Sequence, residues 1–348
     1  MRFYIYLFLF VTSLYFSSCN DFEQTEIAPF KVTKKITGKE IWQNNKKGTS
    51  IYIVDTLILL KSSKDSLFYV YGIESNQYLG SIIKKGKGNG AFSAVFFYGQ
   101  FITDHSGIKI WITDYMTKEM NLVNVTASLK EKRTIVEQHV SIANEIIADA
   151  TSYFYVKGDK VVGYHNVQDG EQPYDERFFN MNTANSTVAF KKIPALKTKK
   201  DLSTNLRNMS YQSIARIKPD GSKIIDVRHY QPKLNIVDTG GNHLASFIFD
   251  KNYPEEFTEE VLRARVNLNY FEAVYVSNKY IYLLRTDQLD KDVTRVKKPI
   301  EILIVDWKGN PVKKLLIPEY ILSFAVDEKS NILYGLDYIS QRVFKYHI

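Results

Sequence analysis

Residues 299–318, PIEILIVDWKGNPVKKLLIP, read as a β-hairpin. A run of aliphatic and β-branched residues from Ile300 to Val305 meets the turn residues Asp306, Trp307, Lys308, Gly309 and Asn310. A second apolar run from Val312 to Ile317 then returns. Gly309 supplies a positive φ at low steric cost, Asp306 and Asn310 can bond nearby backbone, and Pro299 and Pro318 stand only at strand edges. The first run is apolar on both of its faces. A strand with one face in water would alternate, so this hairpin is expected between two packed layers.

An echo of it lies at Ile236-Val237-Asp238-Thr239-Gly240-Gly241-Asn242-His243-Leu244, identical at five of nine positions to Ile304-Val305-Asp306-Trp307-Lys308-Gly309-Asn310-Pro311-Val312. A weaker copy runs from Val70 to Leu79. Repeated hairpins joined by turn residues predict an all-β propeller, whose four-stranded blades bury their faces against neighbouring blades. Laid along the chain, that template places blades near 50–83, 94–140, 145–193, 212–249 and 271–317. Strands near 322–326, 331–336 and 342–347 remain for a sixth. The last blade lacks one strand, and the alternating segment 30–36 (FKVTKKI) near the other end has no blade of its own. The fold expected is therefore a six-bladed β-propeller whose last blade is closed by an N-terminal strand, residues 30–36, which leaves no long edge unpaired. Residues 254–266 carry proline and acids in front and arginines behind, the order that complements a helix dipole. They predict a short helix between blades four and five, with Phe257, Val261 and Ala264 on one face. The polar run 286–298 reads as an exposed, mobile loop.

Composition agrees with one large β-domain. The chain has 348 residues, 45% of them hydrophobic, and 24 Tyr and 21 Phe favour pleated, half-buried surfaces. The net charge of +8 comes from lysines scattered in small groups, without the dense basic stripe or motif of a nucleic-acid binder. No nucleic-acid partner is expected.

Met1-Arg2 and the apolar run from Phe3 to Phe16 have the charge and length of a secretory signal peptide, too short for a membrane-spanning helix. The run ends in Phe16-Ser17-Ser18-Cys19, and Cys19 is the only cysteine. This resembles the lipobox of bacterial lipoproteins, although Phe16 and Ser18 depart from the commoner Leu and Gly or Ala. The resemblance implies a signal peptide over 1–18 and lipid attachment at Cys19. A tether over 19–29 and the propeller over 30–348 would follow. The polar, acidic stretch 20–29 reads as solvated linker, similar to an export signal of some surface-exposed Bacteroidetes lipoproteins. Acylation would hold the protein to a membrane surface without spanning it. With Cys19 committed no disulfide can form, and the core alone must stabilise the fold.

No catalytic set is legible. Lys84-Lys85-Gly86-Lys87-Gly88-Asn89-Gly90-Ala91-Phe92 lacks the Gly-Lys-Ser/Thr ending and the following helix of a phosphate loop, and looks instead like the interblade glycine turn of NHL-type and TolB-like propellers. Asp287, Asp290 and Asp292 lack the spacing and glycine of an EF-hand, and Lys291, Arg295 and Lys297 stand close enough to neutralise them. The histidines (His105, His139, His165, His229, His243 and His347) form no zinc signature, and no Gly-x-Ser-x-Gly elbow occurs. Glu255-Glu256 and Glu259-Glu260 are explained as dipole partners of the short helix. No catalytic residue, metal site or cofactor is expected.

The lipobox-like start, the turn Val305-Asp306-Trp307-Lys308-Gly309-Asn310-Pro311, the Gly86 to Phe92 segment and the closing Leu333-Tyr334-Gly335-Leu336-Asp337 together resemble the TolB-like six-bladed propeller lipoproteins of Bacteroidetes. That resemblance implies a cell-envelope location, lipid-anchored at the outer membrane and periplasmic or surface-exposed, and carries over no catalytic residue. The expected function is a binding or scaffolding module that holds a protein, peptide or glycan on one propeller face. The alternative is a hydrolase or lyase acting on a glycan or peptide at the central channel. It requires two of His105, His139, His165, His229 and His243, or a histidine with an acid, within hydrogen-bond reach in one pocket.

Overall fold

A computed structural model of the chain describes residues 22–43, 48–62, 66–86, 92–167, 175–194, 197–198, 202–254, 256–337 and 339–348. Six sheets stand as the six blades of a propeller. Their innermost strands are Gly48–Val54, Val95–Asp104, Ala150–Lys157, Ser213–Ile217, Leu268–Val276 and Ser323–Asp327. In each of the first five blades the next three strands follow outward in chain order, as the repeat template requires.

The strand Ile300–Asp306 explains why its sequence is apolar from Ile302 to Val305, with Ile300 before the half-buried Glu301. Ile300, Ile302 and Ile304 pack into the core shared with blade six, among Ile321, Leu333 and Phe344. Leu303 and Val305 point the other way into the core shared with blade four, beside Val227 and Ile236. Blade one repeats the scheme, with Leu57 and Leu59 facing blade two and Ile58 and Leu60 facing blade six. A blade interior is thus a strand with two dry faces, and period-2 alternation sorts its residues between two cores.

The repeated turn is built the same way twice. Oδ1 of Asp306 accepts the backbone N–H groups of Lys308 and Asn310 at 2.8 and 2.9 Å, and Asn310 donates from its side chain to Oδ2. In the echo, Asp238 receives the N–H groups of Gly240 and Asn242, both at 2.8 Å, and the Asn242 side chain at 2.9 Å. Gly309 and Gly241 hold φ of +83° and +79°. A Cβ on Gly309 would also lie 2.2 Å from the Phe247 ring. The weaker copy is one residue longer, with Gly72 in the aspartate's place and Asn76 at φ +54°.

The N-terminal arm corrects the expected closure. Residues 30–36 do not finish the last blade: Thr33–Lys35 pairs in parallel with Lys314 to Leu316, as a fifth strand on the outer edge of blade five. The closing strand is Lys39–Gln43, antiparallel to Arg342–His347, and Trp42 within it stacks on Tyr71 of blade one at 4.7 Å. Ring closure and the count of six survive because the neighbouring segment does the work. The described part of the 20–29 stretch is docked as well. Gln24–Glu26 is a parallel edge strand on blade four, Ile27 is buried, and the Phe22 ring meets that of His243. The arm therefore runs around the rim past blades four, five and six before the first blade begins. Alternation identifies an extended segment, but it does not say which edge the segment takes.

Three short helices lie between strands. Glu259–Ala264 falls where predicted, capped by Thr258. Its inward face differs, since Leu262 and Phe257 are buried while Ala264 is exposed. Val125–Glu131, capped by Asn124, occupies a span read as strand end and loop, and Thr204–Ser210 was not anticipated. Among the described residues no helix is long and apolar enough to cross a membrane.

Candidate functional site

The inner strands of five blades enclose a cavity of about 250 Å³ on the propeller axis. Its polar groups include Arg216 of blade four, Glu272 and Tyr275 of blade five, Tyr98 of blade two, His229 and Ser323. Arg216 and Glu272 interrupt otherwise apolar runs, Ile214-Ala215-Arg216-Ile217 and Tyr270-Phe271-Glu272-Ala273-Val274. Ser323 is used structurally: its Oγ accepts the backbone N–H of Ile51 at 3.0 Å, tying blade six to blade one.

Burial dominates the electrostatics. Glu272 is pushed up to about 7, first by burial and then by the charge of Asp290, against a hydrogen bond from Asn269. That bond runs from Nδ2 of Asn269 to Oε2 of Glu272 at 3.0 Å. Burial also lowers His229, against hydrogen bonding from Phe271 and Asn269. Burial raises the phenols of Tyr98 and Tyr275 far above the ordinary tyrosine range. Arg216 is lowered by burial, partly offset by Tyr52 and Tyr98. Its hydrogen bond goes from Nη1 to the carbonyl of Ala215 at 2.8 Å, and among the described residues it has no carboxylate partner. A second cavity of about 230 Å³ borders blade three and shares Tyr98, Ile214 and Arg216 with the first as a common wall.

The sequence from residue 45 to 329 matches the model of the family described as TolB-like 6-blade propeller-like. The chain belongs to the TolB-like six-bladed propeller family. Similar solved folds include a member of the DUF4221 family from Bacteroides vulgatus, at TM-score 0.56 and 11% identity, with 93% of this chain and 98% of that one covered. A Bacteroides fragilis protein named as an exported protein gives 0.53 and 10%, covering 90% and 98%. The β-propeller domain of Cps50 (Swd1) from Myceliophteria thermophila gives 0.52 and 9%, covering 89% and 99%. At these identities the likeness is one of fold. No curated protein sequence matches this TolB-like propeller.

The histidines of this TolB-like propeller are scattered. His105, His139 and His347 are exposed on turns and outer strands. His165 is buried in blade three with its ring nitrogens against the carbonyls of Asn166 and Glu176. Nε2 of His243 meets Ser246 at 2.8 Å. Only His229 reaches the axial cavity, which it lines together with Glu272 rather than with a second histidine. Neither Arg216 nor Glu272 was singled out from sequence, although an ionisable residue inside an apolar strand run was the available signal.

The aspartate-rich loop binds to cations other than those expected. Asp287 is paired with Arg285 at 2.7 Å and Asp290 with Arg265, while Lys297 goes to Asp337 at 2.8 Å. The span 286–298 is also less free than its composition implied. Strand Tyr280–Leu289 extends into it, and Val293 is buried, its carbonyl accepting from the Tyr320 hydroxyl. No cluster of potential metal ligands occurs among the described residues. The glycine turn is clamped at its ends, where Phe92 N–H donates to the Lys84 carbonyl and Gly86 N–H to that of Phe92, both at 3.1 Å. Residues 87–91 lie outside the described residues, as do residues 1–21 with Cys19 and the expected signal peptide.

A second polar centre lies between blades three and four. Arg228, 1% exposed, pairs with Asp226 at 3.2 Å and donates to the Tyr164 hydroxyl and the Tyr211 carbonyl, each at 2.9 Å. Asp226 continues through Asn235 to Ser246 and His243, over contacts of 2.8, 2.7 and 2.8 Å. Arg177, fully buried, donates to Asn208 at 2.6 Å and lies 4.1 Å over the Tyr211 ring. Asn208 in turn bonds the backbone of Val167, docking helix Thr204–Ser210 onto blade three. These groups bond chiefly to one another, and Tyr164 also borders the second cavity.

Proposed function

We propose that this protein is an exported envelope module, tethered to a membrane surface by lipid on Cys19, which holds a ligand in the propeller's axial cavity. The observation that carries the reading is the cavity itself: strands from five blades converge on it, and it contains ionisable groups that make few internal bonds. Such a pocket, in which apolar walls alternate with convergent polar groups, can hold a small molecule. Export is supported by the signal-like start and by the name of the Bacteroides fragilis relative. Two measurements test the reading. Cys19→Ala should move the protein from the membrane pellet to the soluble fraction. Ala273→Trp, which puts an indole into the cavity, should abolish thermal stabilisation by any ligand found in a library screen. A ligand that stabilises both forms equally would place binding elsewhere.

A second reading, a hydrolase or lyase, has one specific observation in its favour. Glu272, pushed up to about 7 by burial, lines the same cavity as His229, and an acid beside an imidazole is suited to general acid–base work. Turnover of a glycan or peptide that Glu272→Gln abolishes without loss of binding would support it. Turnover unchanged in that variant would dismiss it.

A further inference from the structure

Arg216 is the one group at the axis whose chemistry specifies a ligand. Arg216 is half-buried at the cavity wall, and a guanidinium held in so narrow a space is normally met by a carboxylate, because an unpaired charge kept from bulk water is costly. Arg216 has only the neighbouring carbonyl of Ala215. Glu272 lines the same cavity but does not compensate it. The two form no ion pair, the charge acting on Glu272 is that of Asp290, and the groups acting on Arg216 are the phenols of Tyr52 and Tyr98. A second cation, Lys61, lies near enough for Arg216 to lower it further beyond the effect of burial. Its ammonium sits 4.9 Å over the Phe96 ring, without a carboxylate. The wall shared by the two cavities thus carries one cation, Arg216, without a carboxylate partner among the described residues, and Lys61 lies outside both cavities.

An independent observation comes from blade three. Ser152 is 4% exposed and lines the second cavity with Arg216, yet its hydroxyl has no hydrogen-bond partner among the described residues. Buried hydroxyls are as a rule bonded, so the idle hydroxyls of Ser152 and, on the same cavity, Ser213 mark a place for a ligand atom or an ordered water. Planar guanidinium forks match carboxylates in two-point geometry. Beside Arg216 the axial cavity carries the rings of Tyr98, Tyr52, Phe101 and Tyr275, the imidazole of His229 and the carboxyl of Glu272, with no further Lys or Arg, which suits an organic monoanion better than a multiply charged phosphate.

We propose that the two cavities form one site for a small organic carboxylate, with Arg216 as the anchor for the carboxylate group and Ser152 as a second donor. This rests on the axial cavity being the binding site.

The test uses purified wild-type protein and the variants Arg216→Gln, Ser152→Ala and Ala273→Trp. Each is titrated with sodium benzoate, sodium glucuronate, glucose and sodium sulfate at constant ionic strength, followed by calorimetry and thermal unfolding. One of the two carboxylates should saturate the wild type. Its affinity should fall by about tenfold or more in Arg216→Gln and by a smaller factor in Ser152→Ala. Ligand-free Arg216→Gln should unfold at a temperature no lower than wild type, which separates a lost contact from a lost fold. Equal carboxylate affinity in wild type and Arg216→Gln, or no saturable response of the wild type to either carboxylate, would overturn the proposal. So would sulfate binding as tightly as the carboxylates. Glucose saturating wild type and Arg216→Gln alike, but not Ala273→Trp, would overturn the carboxylate assignment and leave the axial site standing.

Discussion

Two arginines on the same blade are treated in opposite ways. Arg228 is held between blades three and four by the Asp226 carboxylate, a tyrosine hydroxyl and a backbone carbonyl. Arg216, on the adjacent inner strand, has a single carbonyl and two cavities. The hydrogen-bond register sets Ile225 of the Arg228 strand opposite Arg216, so the two side chains share one sheet. The difference teaches where the molecule spends charge on its own structure and where it leaves charge available. Burial lowers both, but at Arg228 Asp226 together with Tyr164 and Tyr211 more than offsets it, whereas Arg216 stays lowered.

Breaking the compensated centre should have the largest effect. Asp226→Ala leaves Arg228 buried without its counter-charge and should cost about 3–5 kcal/mol in denaturant unfolding. A loss below 1 kcal/mol would mean that Arg228 is not held as described. Glu272→Gln comes next and depends on pH. The folded protein keeps a proton on Glu272 up to about 7 that the unfolded chain releases near the ordinary glutamate value, so native stability falls as pH rises through that window. The variant should match wild type at pH 4 and exceed it by roughly 2 kcal/mol at pH 8. A pH-independent difference would show that burial does not control this carboxyl.

Arg216→Gln should sharpen the contrast with Arg228 by having the opposite sign. Removing an uncompensated charge should leave the ligand-free protein unchanged or stabilise it by up to about 1 kcal/mol, whereas loss of a structural arginine would destabilise it. The smallest effect calibrates the surface. Arg263→Ala breaks the exposed pair with Glu259 on helix Glu259–Ala264 and should change stability by only a few tenths of a kcal/mol.

Most of the propeller could be read from the chain, since its signals are local. The turn of Asp306, Gly309 and Asn310 and its echo at Asp238, Gly241 and Asn242 are each closed by contacts within four residues, so the letters suffice. The apolar run from Ile300 to Val305 announced two dry faces. Helix Val125–Glu131 was missed because the strand before it ends in Asn124, whose capping role shows only once Ala127 N–H is seen donating to it. The aspartate loop was legible as neutralised but not by which cations, for Arg265 and Arg285 arrive from other strands and loops. The candidate site was least legible. Arg216 and Glu272 stood out only as charges within apolar strands, and one residue's spacing from another says nothing about convergence across blades.

The sequence by itself determined the strands, their turns, the alternation that makes each blade a two-faced layer, and the lipobox-like start. All of these depend on period two or on contacts a few residues apart. Only the tertiary structure decided that Lys39–Gln43 closes the ring while Thr33–Lys35 joins blade five, and that Arg216 stands between a cavity lined by Glu272 and one lined by Ser152. Edge pairing and convergence bring together residues tens to hundreds of positions apart. Their partners are chosen by the closure of the ring, not by any local preference of the chain.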